Sequence, residues 1–468
     1  MRRALFLLLL LAGCRPCLQP DLCLPDTFQQ GWAVEMCMED EAEIDLTTWW
    51  EQFEDPMLLG FIEEGISCNF DLRIARERIY ESRAIEGIEF SRVLPQVDAI
   101  GNFRKMRNSE TLSDSSFTGG TFVNIFRAGF DSFWEIDLFG KNLDRTQAAT
   151  YEVLATEEEV RDVHVTIVGE VAVNYFTIRT LQSRIDIAKQ HVGSQKELLS
   201  IVEERYDAGL IPELDVLLSR ALLQARLAII PALEARLYET IYRLAVLMGK
   251  VPELLASYFC ESKPLPCYEG KIPLGLPSDL LCRRGDLRQA EFAMRASGAR
   301  VLAARKEFFP TISLEGIYTY MTGFFTRWFQ SQSRDWYCQP NITLPIFHGG
   351  EILSNIRVET SRQRQAVLNY EQSVLRALEE VEGALVGYFK EGARVQILQE
   401  EVNSYQEARD MAETLYLGGR VDFLFVLETE QKLFLSQNLL EESKEIMMTQ
   451  LVAVYKSLGG GWECCELP

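Results

Sequence analysis

From about Gly350 to Tyr416 apolar residues return every seven positions. Val367, Val374, Val381, Tyr388, Val395 and Val402 form one seam. Tyr370, Ala377, Ala384, Leu398, Tyr405 and Ala412 form most of a second, which Glu391 interrupts. The stretch from Asn142 to about Tyr206 keeps the same step, with Val171, Ile178, Ile185, Val192 and Leu199 beside Val160, Ile167, Leu181, Ala188 and Val202. A seven-residue repeat is the period of a helix wound against other helices. No proline interrupts either stretch. At 1.5 Å per residue, a helix of about 65 residues measures roughly 100 Å, more than one globular domain needs. Each stretch therefore predicts a helix lying along others, in a bundle, a fibre or a tube.

A second period, of two, precedes each long stretch. Leu94-Pro95 ends a helical pattern, and Val97, Ala99, Gly101 and Phe103 then alternate with polar residues. After a Ser/Thr/Gly-rich turn over 108–121, alternation resumes through Val123, Ile125, Arg127, Gly129, Asp131 and Phe133. This predicts a β-hairpin over about 96–137. Ile312, Leu314, Gly316, Tyr318 and Tyr320 open a second, over about 311–346, whose return strand ends at Leu344-Pro345-Ile346-Phe347. Around the hairpins, helical spacing follows Trp49-Trp50, breaks and recaps at Asn69-Phe70-Asp71, and runs to about Arg92. The long helices are expected over about 142–206 and 350–416, with return helices over about 212–248 and 421–458. Residues 250–277 are rich in Pro and Gly and read as a linker; residues 460–468 form a tail.

The two halves share landmarks. Asp71-Leu72-Arg73 returns as Asp286-Leu287-Arg288, and Pro95 as Pro310, each 215 positions later. Glu170-Val171, Tyr206, Gly209 and Gly249 return as Glu380-Val381, Tyr416, Gly419 and Gly459, each 210 positions later. Shared spacing over several landmarks indicates duplication, with repeats at 49–249 and 278–459. Each repeat is a short helix pair, a β-hairpin, a long helix, a tip turn and a return helix. The expected fold class is α+β, mostly α, with four β-strands per chain. Four strands leave open edges, which lipid does not tolerate. Closure then requires further copies: eight, twelve or sixteen strands from two, three or four chains.

Charge narrows the partners. The formal net charge is −22, which disfavours nucleic acid, since phosphate contacts need clustered Lys and Arg. Met1-Arg2-Arg3, an apolar run to Leu11 and Ala12-Gly13-Cys14 follow the grammar of a secretory signal over 1–13. The run is too short to span a bilayer. Leu11-Ala12-Gly13-Cys14 is similar to the bacterial lipoprotein box, which makes Cys14 the candidate lipidation site and 14–48 an anchored arm. An ordinary signal peptide with Cys14 unmodified is the alternative. Of the eleven cysteines, the ten besides Cys14 would meet an oxidising compartment, and Cys260 with Cys267 is the candidate disulfide.

Enzyme signatures are missing. There is no Gly-x-Ser-x-Gly, no phosphate loop and no metal-spaced His pair. His164, His191 and His348 lie far apart and read as structural or exposed. No metal and no cofactor are expected.

The stretches Trp49 to Pro56, Asn69 to Leu72, Phe133-Trp134-Glu135-Ile136-Asp137-Leu138-Phe139-Gly140, Arg205 to Asp215, Phe308-Phe309-Pro310 and Leu344 to Gly350 resemble, in order, the outer-membrane efflux factor family, the TolC-like channels. Within it the chain is similar to the OprM-like lipoprotein branch. The resemblance implies a homotrimer, with one twelve-stranded barrel in the outer-membrane lipid and the long helices forming a periplasmic α-barrel. It implies a periplasmic adaptor and an inner-membrane efflux pump as partners, and passive export of drugs or other small solutes. A type I protein-secretion channel is the runner-up. A non-conducting lipid-anchored coiled-coil scaffold would explain the heptads but not the duplicated hairpins.

The same resemblance places a periplasmic gate at the tips. Counted from Gly419, Glu428 falls on a gate carboxylate, while Phe425 stands where the family has a second acidic residue. The constriction is expected to be part acidic and part hydrophobic; three Glu428 side chains would repel one another and attract cations. A solvated helix position is the bland alternative for Glu428. Asp422 and Asp215 lie beside the gate as further candidates, and capping or surface roles are the favoured reading of both. Gly209 and Gly419 are turn residues, and with Leu210, Ile211, Arg420 and Val421 they mark the surface an adaptor would meet. Leu214, Leu424 and Leu427 would add apolar contact there, unless the tip's own packing takes it. Tyr318, Tyr320, Trp328 and Trp336 suit an interfacial girdle, although β-propensity alone would also select them.

Overall fold

The computed structural model describes residues 46–107, 122–266, 268 and 280–462. The signal segment, Cys14, Cys267 and the tail past 462 lie outside the described residues. The principal elements are α1 (Pro56–Cys68), α2 (Phe70–Ser91), β1 (Gln96–Arg107), β2 (Phe122–Ile136), α3 (Lys141–Asp207), α4 (Glu213–Leu247), α5 (Gly285–Lys306), β3 (Thr311–Thr322), β4 (Arg334–Thr343), α6 (Glu351–Leu417) and α7 (Phe423–Ser457). Between α4 and α5 the expected linker carries helical turns at Pro252–Ala256 and Ser257–Phe259; they form because Leu255 and Phe259 are buried. Two units divide the described chain: residues 78–156 with 289–371, and residues 46–77, 157–288 and 372–462.

The first unit contains the sheet, antiparallel throughout in the order β1-β2-β3-β4. The two hairpins join through β2 and β3, from Phe126 opposite Thr322 to Ile136 opposite Ile312. Gly129 permits that junction, because a Cβ there would meet the Tyr318 carbonyl oxygen and stand 2.5 Å from Thr319 Cα. Asp137 starts α3: its two carboxylate oxygens accept from the main-chain nitrogens of Lys141 at 2.7 Å and Leu143 at 2.8 Å, satisfying donors that a helix start leaves unpaired. Phe139 stacks on Phe309 at 4.9 Å. Lys306 Nζ donates to Gly140 O at 3.1 Å and pairs with Asp144 at 2.5 Å. The strand–helix junctions of the two repeats are thus tied together.

The second unit is helical, and its core is the heptad seam. Val171, Ile178 and Val202 of α3 and Val374 and Val381 of α6 are fully buried; each such side chain contributes roughly 1.5–3 kcal/mol of burial. Glu391 interrupts the α6 seam without cost to pairing, because its Oε1 accepts from Ser443 Oγ at 2.6 Å and Arg394 Nη1 at 3.0 Å. Near the first of the described residues, Trp49 stacks on Tyr455 at 4.9 Å. Asp55 caps α1 by accepting from Met57 N at 2.9 Å, with Pro56 at the first helical position. Asn69 re-caps for α2, accepting from Leu72 N at 3.0 Å and donating to Leu247 O at 2.8 Å.

Candidate functional site

In the helical unit the two tip turns are built alike. Gly209 N donates to Tyr206 O at 2.8 Å and Leu210 N to Arg205 O at 2.9 Å; Gly419 N donates to Tyr416 O and Arg420 N to Leu415 O, both at 2.9 Å. These bonds satisfy the last carbonyls of α3 and α6. They need a left-handed residue, which Gly209 (φ 73°) and Gly419 (φ 69°) supply. The turns share one apolar cluster of Leu198, Val202, Val216, Tyr416, Phe423 and Val426, against which Ile211, Val421 and Leu427 also pack. Those last three are therefore largely spent on the tip itself. Leu210 at 68 %, Leu214 at 61 % and Leu424 at 65 % remain exposed, and Arg420 is exposed beside them.

The gate candidates lie close by. Asp422 stands at the N-cap position of α7, yet its side chain makes no capping bond. Asp215 sits in the first turn of α4; partial burial and the nearby Asp422 carboxylate both push its carboxyl above the usual range. Phe425 is exposed. Glu428 is solvated and pairs with Lys432 along its own helix at 2.7 Å. The candidate disulfide has one described member: Cys260, whose thiol is exposed and free, while Cys267 lies outside the described residues.

A buried polar cluster above the tip joins all four long helices, and sequence reading missed it. His191 on α3 has Nδ1 3.2 Å from Glu430 Oε2 and Nε2 2.7 Å from Gln437 Oε1, both on α7. Arg409 on α6 pairs through Nε with Glu430 Oε1 at 3.2 Å. Arg226 on α4 lies over the Phe434 ring at 3.8 Å. His191 and Glu430 are both buried. Glu430 is two residues past Glu428, and only its place on the inward face of the helix sets it apart.

In the other unit the sheet has two chemically distinct faces. Antiparallel partners point to the same side of a sheet, so the register sorts every strand residue. One face carries Val97, Phe103, Phe126, Phe130, Trp134, Leu314, Tyr318, Trp336 and Ile342. All five strand carboxylates, Asp98, Asp131, Glu135, Glu315 and Asp335, lie on the other, with Arg104 and Arg127. Asp98 stands directly opposite Asp131. The alternating set read from Val123 to Phe133 falls on this carboxylate face, opposite to Val97 and Phe103. Both phases of β2 are half apolar, and pairing with β1 decides between them. Among the described residues no group of His, Cys, Asp and Glu is arranged to hold a metal.

A model of the family described as outer membrane efflux protein matches residues 62–250 and 276–460. The toluene efflux pump outer membrane protein TtgI of Pseudomonas putida is 31% identical over 471 residues, covering 99% of this chain and 98% of that protein. The cation efflux system protein CusC of Escherichia coli is 29% identical over 413 residues, 88% of each chain. Among solved structures, the outer-membrane channel OprN superposes with a TM-score of 0.87 at 30% identity, over 95% of this chain and 99% of that one.

Proposed function

The chain belongs to the outer membrane efflux protein family, and from that premise we propose that it is the outer-membrane channel of a tripartite efflux system, a passive exit duct for drugs or other small solutes. The two-faced sheet carries the proposal. An apolar face without carboxylates suits lipid, and a face holding every strand carboxylate suits a water-filled path. β1 and β4 form the outer edges of the four-stranded sheet, and a sheet in lipid must close its edges. Three copies joined edge to edge close twelve strands, and we assign a homotrimer. The channel conducts and performs no catalysis.

The helical tips are the assigned docking surface for a periplasmic adaptor, which links the channel to an inner-membrane pump. Gly209 and Gly419 shape the turns; Leu210, Leu214, Leu424 and Arg420 offer side chains, and Ile211 and Val421 support them from beneath. Glu428, Phe425, Asp422 and Asp215 line the candidate gate, and Cys14 is the candidate lipid anchor. TtgI and CusC are named for toluene and cation efflux, which supports small solutes as the cargo class. The test is purified full-length protein in planar bilayers, together with capture from envelopes in mild detergent. Discrete conductance, a trimer-sized band without boiling and co-purification of an adaptor and a pump are expected. Silent bilayers, even with altered tips, or a monomer under every mild condition would sink the proposal.

A further inference from the structure

The hairpin-turn end of the apolar face carries cations that conduction does not use. Lys105 and Arg107 close β1 on that face and Arg334 opens β4 on it; Arg327 lies in the connection between β3 and β4. All four side chains are exposed. No carboxylate shares this face among the described strand residues, in a chain whose net charge is −22. The cations sit against rings. Lys105 Nζ is 5.4 Å and Arg107 Cζ 5.8 Å from the centroid of Phe122, and Arg327 Cζ is 5.6 Å from that of Phe324.

The β3–β4 connection folds back onto the same face. Phe325 and Trp328 each lie 5.5 Å from Phe126, and Phe329 lies 5.7 Å from Tyr320. Trp328 Nε1 donates to Tyr320 O at 3.2 Å, and Arg334 Nε to Ser331 O at 3.1 Å. Yet Phe324, Phe325 and Phe329 remain 66 %, 67 % and 69 % exposed. An ordered loop that holds three phenylalanines at such exposure is badly suited to water, at about 25 cal/mol for each Å² of apolar surface. It suits the membrane boundary, where rings meet acyl chains and cations meet phosphate.

We propose that this rim binds phosphate-bearing lipid headgroups in the leaflet it meets. Lys105, Arg107, Arg327 and Arg334 take the phosphate oxygens, and the phenylalanines lie among the acyl chains below. This rests on the membrane-duct assignment and names what grips the barrel at its turn end. A free phosphate ion would leave the phenylalanines in water, so the occupant is a lipid.

The test is native mass spectrometry of the full-length channel released from detergent with equimolar diphosphorylated lipid A and phosphatidylcholine. Wild type should retain lipid A preferentially, and rising salt should reduce lipid A retention alone. Lys105→Gln/Arg107→Gln/Arg327→Gln/Arg334→Gln should retain at least about fivefold less lipid A, the loss that even a single cation's contact with an anionic surface predicts. Arg104→Gln/Arg127→Gln, on the opposite face, should retain as much as wild type. If the quadruple variant does not fold, the wild-type salt dependence and the Arg327→Gln variant decide. Equal retention of both lipids by wild type, undiminished lipid A on the quadruple and Arg327→Gln variants, or displacement of lipid A by inorganic phosphate overturns the proposal. Wild-type conductance separates the two assignments: a conducting channel without lipid preference sinks only the rim site, and a channel that never inserts sinks both.

Discussion

Arg205, near the end of α3, donates through Nη1 to the main-chain carbonyl of Tyr416 at 3.0 Å and lays its guanidinium 4.8 Å from the centre of that ring. The duplication is asymmetric here. Tyr206 is the counterpart of Tyr416 by spacing, yet Tyr206 is 40 % exposed and Tyr416 only 4 %. Leu415 holds the position corresponding to Arg205. One repeat supplies the arginine and the other the buried tyrosine, so the contact clamps the tips of the two repeats to each other. Burial also pushes the Tyr416 phenol above its ordinary range, while the Arg205 guanidinium pulls the other way.

Arg205→Ala should release that clamp. A hydrogen bond from a charged donor contributes about 1.5–3 kcal/mol, so thermal stability should drop and conductance through the proposed gate should rise. Arg205→Lys keeps the charge but not the planar fork and should fall between. Planar-bilayer recording beside thermal melts checks both. A variant with wild-type conductance and melting would remove Arg205 from the gate.

Glu428 and Glu430 lie two residues apart on α7 and should respond oppositely. Glu430→Ala removes the carboxylate that His191 and Arg409 share, leaving them Gln437 and Glu413, and losing a buried hydrogen-bond partner costs about 1–3 kcal/mol. Glu428→Ala loses only a solvated contact to Lys432 and should leave the melting transition unchanged while altering conductance or its response to divalent cations. Urea unfolding of both variants checks the contrast. Equal destabilisation would mean that the cluster around His191 does not hold the helices together.

Much of this was legible in the chain. Heptads expose a helix seam directly, so the burial of Val171, Ile178, Val374 and Val381 follows from the sequence, and the shared spacing of Tyr206 with Tyr416 exposes the repeated plan. Long-range polar partners left no such trace. His191 meets Glu430 across 239 positions, and neither residue type nor local period distinguishes it from a surface histidine. The face of β2 was equally hidden, because Phe122, Phe126 and Phe130 alternate as well as Val123 and Ile125 do. Sequence shows a turn's apolarity without its direction, so it did not separate Ile211 and Val421, which pack on the tip cluster, from the exposed Leu210 and Leu424.

His164 should tie stability to pH. Burial pushes its imidazole down from the ordinary value of 6.5, and the Arg76 guanidinium pushes the same way. A depressed folded-state value means that the folded protein prefers the neutral ring. The stabilisation is complete above the unfolded value and is lost as pH falls through the folded one. The melting temperature should therefore decline on acidification from about pH 6.5, and His164→Gln should flatten that part of the profile. Parallel profiles for wild type and variant would assign the acid sensitivity to another group.

Phe130 and Asp131 test the two faces at adjacent positions. Phe130 lies mid-sheet, opposite Ala99 and Tyr318 on the apolar face, and Asp131 lies opposite Asp98 on the carboxylate face. Phe130→Arg would place a charge in lipid at a cost of about 2–4 kcal/mol at the midplane, incurred once per copy. Membrane insertion and the heat-resistant oligomer band should be lost. Asp131→Arg carries no such cost, because it stands on the face assigned to the water-filled path, and it relieves the repulsion from Asp98. That variant should insert normally and shift ion selectivity toward anions, read as a change in reversal potential under a salt gradient. If Phe130→Arg inserts and Asp131→Arg does not, the faces are assigned the wrong way round, and the path for solutes could not run along the carboxylates.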